Sequence, residues 1–193
     1  MPTVTALRAR RSRVHVELDG SAWRTLPLEV VGRTGLRVGL ELDRPRLRLL
    51  RRELRRSEAL AVAGRALRVR DLSAQALEQR LARDVAPAAR DEAVAVLTRA
   101  GVVDDRRVAE NRAAALAARG YGDAAIHHDL LRRGLEPDEV AAAVAQLEPE
   151  VTRAAELVAR RGRGPKTARY LASHGFGEEA CASALEPGFG QDP

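Results

Sequence analysis

Apolar and polar residues alternate at the start of the chain. In RVHVELDGSAWRTL, Val14, Val16 and Leu18 alternate with His15 and Glu17 up to the pair Asp19-Gly20. A period of two predicts strands with one buried face. Asp-Gly supplies the positive backbone dihedrals of a tight two-residue hairpin. With that turn, Leu18 pairs with Ser21 and Val16 pairs with Trp23. Val14, Val16, Leu18 and Trp23 then share a face that is expected to be buried. PLEVVGRTGLRVGLELD, with its scattered glycines, predicts a short helix and then another extended piece. Residues 1–42 are therefore expected to form a small N-terminal domain containing a β-hairpin.

From Asp43 the period becomes helical and stays so. Asp43 is placed as the N-cap of RPRLRLLRRELRR, and Leu47, Leu50 and Leu54 make one apolar stripe. Arg44, Arg48, Arg51 and Arg55 make a basic stripe beside it, with Glu53 the one acid between Arg44 and Arg56. Such a row is either a solvated helix face or an electrostatic footprint for phosphate or an acidic protein surface.

Beyond this helix the pattern repeats. ALEQRLARDVA, AIHHDLLRRGL and TARYLASHGF each form a short helix with a leucine near its end: Leu81, Leu130 and Leu171. Four residues later comes a stop, Gly134 and Gly175 in two copies and Val85 in a degenerate first copy. A left-handed helix end favours glycine there. An apolar residue follows (Ala86, Leu135, Phe176), and then PAARDEAVAVL, EPDEVAAAVAQL or GEEACASAL. Leucines roughly 40–50 residues apart predict stacked three-helix units, none able to bury its apolar face alone. The expected fold is mostly α: tandem three-helix repeats forming an elongated helical stack behind the β-containing domain. The boundaries are 43–100 for the basic helix plus the first repeat, 101–148 for the second and 149–187 for the third. A disordered tail is expected at 188–193.

Helix starts are marked. Ser73 precedes AQALEQRL, with Leu72 and Leu77 placed as a hydrophobic staple. Pro137 and Pro165 suit first-turn positions, where a missing N–H costs nothing. Asp104-Asp105 follows the second repeat's opening Gly101. Twin carboxylates can hold a metal, but Arg106 and Arg107 follow at once and no further ligands stand at suitable spacing. A helix cap is the expected role.

The remaining candidates for chemistry are weak. His127 and His128 are adjacent, so on a helix they point about 100° apart and do not share a metal easily. Cys181 is the single cysteine and has no nucleophile signature around it. GRTGLRVG fits no phosphate cradle. No enzyme, metal or cofactor is expected. One cysteine fits a reducing compartment. No signal-peptide pattern opens the chain, and no apolar run approaches the ~18 residues of a bilayer span. A cytoplasmic protein without membrane contact is expected, and it is expected to be a monomer. Aromatics make up 3% of the chain, so the core must be built from Ala, Leu and Val. The formal charge of +6, almost all of it arginine, favours polyanionic or acidic partners.

GVVDDRRVAENRAAALAARGYGDAAIHHDLLRRGLEPDEVAAAV resembles the central repeat of the bacterial regulatory protein RecX family. The positions that carry the likeness are Asp104, Asp105, Val108, Ala109, Gly120 and Leu130-Leu131-Arg132-Arg133-Gly134-Leu135. Leu67, Arg70, Ser73, Leu77 and Leu81 are similar to the family's first repeat, and the N-terminal VTALRARRSRVHVELDGSAWRTL to an extra hairpin segment of some members. The likeness spans roughly residues 3–187. Val108 stands where an aromatic is usual, and Ala76 where Glu is frequent. The second helix of the central repeat, normally basic, reads Asp123, His127, His128, Asp129.

The resemblance implies a non-enzymatic regulator that binds RecA recombinase filaments. It would modulate, as an inhibitor, their ATP hydrolysis, strand exchange and co-protease activity. DNA backbone would be a further contact of its basic faces. The candidate contact residues are Arg44, Arg48, Arg51, Arg55, Arg70, Arg132, Arg133, Arg160, Arg161, Arg163, Lys166, Arg169 and Tyr170. The run from Arg160 to Tyr170 is the strongest basic cluster of the later repeats, and Arg132 and Arg133 have helix C-terminal complementation as a competing role. The alternative reading is a stand-alone basic helical DNA-binding protein of nucleoid type, which would bind DNA without a partner and with steep salt dependence.

Overall fold

The computed structural model describes residues 1–186; the tail at 188–193 and the last residue of the third repeat lie outside them. The chain divides into two compact units. The first is Met1–Arg70 with Leu77–Ala100, and the second is Asp71–Ala76 with the chain from Gly101 onward.

The first unit opens with an antiparallel meander of β1 (Val4–Arg10), β2 (Arg13–Leu18) and β3 (Ser21–Pro27). Asp19 (φ 50°) and Gly20 (φ 79°) make the hairpin turn. Leu18 pairs with Ser21, but Val16 pairs with Arg24 rather than Trp23. The register shifts between Val16 and Glu17, so β3 carries an extra residue there, and a bulge of this kind changes the face that follows it. Trp23 is accordingly exposed (37%) instead of joining Val14 and Val16 in the core. Strand β1 carries no turn signal at its end: it closes on β2 through Arg11-Ser12, with Arg11 at φ 55°.

Helix α1 (Leu28–Thr34) follows, and the expected extended piece after it is reduced to a single bridge between Thr3 and Glu41. Helix α2 (Arg44–Leu67) starts at Asp43, whose carboxylate accepts the Arg46 N–H at 2.8 Å. It runs well past Arg56, because SEALAVAGRAL supplies strong helix formers. Its first half buries Leu50, with Leu47 and Leu54 alongside, against Val4, Val14, Val16, Leu26 and Val30. Its second half buries Ala63 and packs Ala59 against Ala89 and Ala93 of α4 (Pro87–Arg99). Methyl-sized side chains let the two helix backbones approach closely. In the chain α3 (Ala74–Leu81) comes between α2 and α4, with Leu77 and Leu81 fully buried.

The second unit holds α5 (Asp105–Ala118), α6 (Asp123–Arg132), α7 (Pro137–Ala145), α8 (Glu150–Arg161), α9 (Pro165–Ser173) and α10 (Glu178–Leu185). Two like cores result. One gathers Ala109, Ala113, Leu130, Leu135 and Val140, the other Ala154, Val158, Leu171, Phe176 and Ala180.

The same joint occurs twice in this unit. Asp105, the first residue of α5, accepts the N–H of Ala74, the first residue of α3, at 2.7 Å. Glu150, the first residue of α8, accepts the N–H of Asp123, the first residue of α6, at 2.6 Å. Each carboxylate thus caps the middle helix of the preceding repeat. Around each cap, a middle-helix C-terminus meets a middle-helix N-terminus. The Ser73 hydroxyl donates to the Arg133 carbonyl (2.6 Å), and the Gly122 N–H donates to the His174 carbonyl (2.9 Å). The partial charges of the two helix ends are opposite, so the abutment is attractive.

Gly134 (φ 75°) and Gly175 (φ 79°) sit at these contacts. A Cβ on Gly134 would meet the side chain of Gln75, with the Gln75 Cβ 2.9 Å away; on Gly175 it would lie 2.6 Å from the Ala125 backbone nitrogen. Positive φ costs an L-residue about 1–2 kcal/mol. Gly134→Ala is therefore expected to lose about 1–2 kcal/mol or somewhat more, since the Gln75 amide can swing aside but its Cβ cannot. Gly175→Ala is expected to lose roughly 3 kcal/mol or more, since backbone cannot. Urea denaturation of the two variants checks the order.

Burial, with Asp104 and Glu136 nearby, pushes the Asp105 carboxyl up against the opposing effect of the Ala74 N–H. Its folded pKa lies above the unfolded one. Between the two values the folded state holds the extra proton, and stability falls as pH rises. Asp105→Asn keeps the acceptor and loses the charge, so at pH 7 its urea midpoint should equal or exceed that of the parent. Asp105→Ala, which loses the cap, should cost about 1 kcal/mol.

Candidate binding surfaces

Helical geometry sorts the arginines of α2. Leu47, Leu50 and Leu54 turn inward, which leaves Arg44, Arg48, Arg51 and Arg55 exposed on the outer side. Among the described residues none of these four is in an ion pair. Their neighbours are engaged: Arg52 lies 3.3 Å from Glu92, and Arg56 lies 3.6 Å from Glu92 and 3.7 Å from Glu53. Arg48, Arg51, Arg52 and Arg55 line a groove of about 360 Å³ with the first turn of α4. Arg70, beyond α2, is exposed and unpaired among the described residues.

In the second unit the basic run surrounds the turn from α8 to α9. Gly162 (φ 83°) ends α8, and its carbonyl accepts the Thr167 hydroxyl at 2.7 Å. Arg160 turns back onto α8, 3.8 Å from Glu156. Arg169 donates to the Pro165 carbonyl of its own helix at 3.3 Å. Lys166 is exposed and without an ion pair among the described residues, and Arg163 is exposed.

Arg161 lies over the Tyr170 ring at 3.8 Å, and His174 stacks on the same ring at 3.8 Å. Two groups so close cannot share one face, so both faces of Tyr170 are covered. His174 in turn meets Tyr121 at 5.2 Å, and Arg119 lies 5.7 Å from the Tyr121 ring. This chain of rings and guanidinium groups links α8, α9 and the loop before α6. It leaves Tyr170 unable to stack on a nucleobase without first displacing Arg161 or His174.

Arg132 is exposed at the end of α6. Arg133 is committed: its Nε donates to Asp129 at 2.7 Å, and Asp129 also receives Arg112 at 2.8 and 3.0 Å. Two guanidinium groups hold the Asp129 carboxyl well below the usual carboxylate range.

Asp104 and Asp105 both bond helix N–H groups. Asp104 accepts from Arg107 of α5 at 3.0 Å, and Asp105 reaches across to α3. Ser73 accepts the Ala76 N–H at 3.1 Å. Among the described residues no three His, Cys, Asp or Glu side chains gather as a metal site would require. His127 and His128 are both exposed. Burial raises the Cys181 thiol pKa, and its Sγ sits 3.8 Å from the Phe176 carbonyl at the edge of the third core. Among the described residues no helix is long and apolar enough to cross a membrane.

Sequence reasoning missed Glu150, which spans to Asp123 and Gly177, and Arg153. The guanidinium of Arg153 is buried and donates to the carbonyls of Glu148 and Tyr121 (2.9 Å each) and to the Asp123 carboxylate. The available signal was positional: Glu150 opens the third repeat as Asp105 opens the second.

No protein-family model matches the chain. Over 126 aligned residues it is 36% identical to the regulatory protein RecX of Stenotrophomonas maltophilia (strain R551-3), covering 60% of this chain and 77% of that protein. Its fold is similar to that of a crystal structure of regulatory protein RecX, with a TM-score of 0.79 at 17% identity over 93% of this chain and 97% of the other. RecX from Lactobacillus salivarius gives a TM-score of 0.60 at 16% identity, over 68% of this chain and 94% of the other.

The Asp129 cluster generates a pH test. Its folded pKa lies below the unfolded value near 3.8, so its contribution is full above that value and is lost as pH falls below it. Asp129→Asn should be clearly less stable than the parent at pH 7, and the gap should close as pH drops from about 4 toward 2. Urea midpoints across that range measure it.

Proposed function

The chain belongs to the RecX family of regulatory proteins, and from that membership we propose that it is a non-enzymatic, cytoplasmic regulator of RecA recombinase filaments. It binds the filament on DNA as a monomer and restrains ATP hydrolysis, strand exchange and co-protease activity. Its three helical segments, 43–100, 101–148 and 149–187, are the units of contact. The observation that carries this reading is sequence kinship with a protein named as regulatory.

The chain's own surfaces support it. The exposed cations of the α8–α9 turn suit an acidic protein surface or a phosphate backbone. Charges of this kind speed encounter and set specificity. Arg160, Arg161 and Lys166 are the contact residues we assign to this turn. The unpaired arginine row on α2, with the net charge of +6, supports a second reading, a stand-alone DNA-binding protein.

The test is RecA ATP hydrolysis on single-stranded DNA, with RecA from the same organism and this protein titrated in. A fall in rate well below one protein per RecA supports filament regulation, because one bound molecule then disturbs many subunits. The variant carrying Arg160→Glu, Arg161→Glu and Lys166→Glu should need at least tenfold more protein for the same fall, while its stability drops by no more than the lost Arg161–Tyr170 contact, about 0.5–1 kcal/mol. An unaltered rate, joined to steep salt-dependent DNA binding without RecA, replaces this reading with the second.

A further inference from the structure

The groove of the first unit combines three features. Arg48, Arg51, Arg52 and Arg55 form one side of it. At 1.5 Å rise per residue, Arg48, Arg51 and Arg55 stand about 4.5–6 Å apart along the axis of α2. Among the described residues these three have no carboxylate partner, and Arg52 is held by Glu92, the one acid lining the groove.

The opposite side is the start of α4. Its N-cap is Ala86, which has no side chain able to accept from the helix, and Pro87 follows. The first turn of α4 carries no acidic residue. Ala89 and Arg90 return their N–H groups to the Ala86 carbonyl, while no bond from the Ala88 N–H stands among the backbone bonds of this turn. Anions are favoured at such a helix end. The third feature is the small apolar lining of that side, Ala86, Ala88 and Ala89, with no aromatic ring among the lining side chains.

We propose that this groove docks an acidic protein segment in which carboxylates flank a small aliphatic residue. The arginines offer planar two-pronged donors that match carboxylates. The alanine-lined side removes the aliphatic side chain from water, which a phosphodiester strand does not require. A nucleic-acid strand would instead gain from rings to stack on, and the groove supplies none. The assignment concerns the chain itself and stands independently of the recombinase reading.

The experiment is fluorescence anisotropy of the full chain with a labelled twelve-residue peptide in which single valines stand between pairs of glutamates, and with the same peptide carrying Gln for every Glu. The Glu peptide should bind at least tenfold more tightly than the Gln peptide, and more weakly as salt is raised. The variant with Arg48→Glu, Arg51→Glu and Arg55→Glu should lose at least tenfold of that affinity. The milder Arg→Gln triple variant, with an unchanged urea midpoint, should show a smaller loss and guards against misfolding. Equal binding of the two peptides, no binding of either, or no effect of the variants overturns the proposal. It also fails if a labelled twelve-nucleotide single strand or twelve-base-pair duplex binds more tightly than the Glu peptide and loses that binding in the same variants. No recombinase is present, so failure of the filament reading leaves this result untouched.

Discussion

The second unit depends on one kind of hydrogen bond, a carboxylate at the first residue of one repeat accepting from the first N–H of the middle helix in the repeat before it. Asp105 does this for α3 and Glu150 for α6. A helix start buried without a partner leaves several donors unsatisfied, at a cost of about 1–3 kcal/mol for each group left bare. Repeats this short have few apolar side chains to offset that cost. The acid is therefore as much a part of the core as Leu130 or Leu171, although it touches no apolar residue in kind. The glycines beside it follow from the same constraint, because the carbonyl of one helix end cannot approach the N–H of another past a side chain.

The joint also explains the division of labour among charges. Asp104, Asp105, Asp129 and Glu150 are spent on helix ends and on Arg112 and Arg133. Arg153 is buried at a joint as a donor to three groups. The exposed charge on the first half of α2 and around the α8–α9 turn is mainly cationic. Two basic surfaces thus arise where acids are sparse, and the chain's modest formal charge understates how positive they are.

Much of this was legible in the amino-acid sequence. The Asp19-Gly20 turn, the Asp43 cap, the leucine stripe of α2 and the buried leucines at 81, 130 and 171 follow from local chemistry that acts within a few residues. What escaped depends on partners far along the chain. The bulge that exposes Trp23 has no residue signature. The reach of Asp105 to Ala74 and of Glu150 to Asp123 is not written at either position alone. The stack of Arg161, Tyr170 and His174 was hidden because a cation read by itself looks like a binding residue, whereas here one of its faces is already occupied by a ring of the same fold.

The joint has a bearing on how such a chain can change in length. The second repeat presents an acid at its front, a helix start in its middle that takes the next acid, and a glycine-ended helix for its neighbour. That copy is therefore both plug and socket. A duplicated repeat meets its neighbours through chemistry they already possess, so the number of repeats can vary across relatives without a new interface being invented at each step.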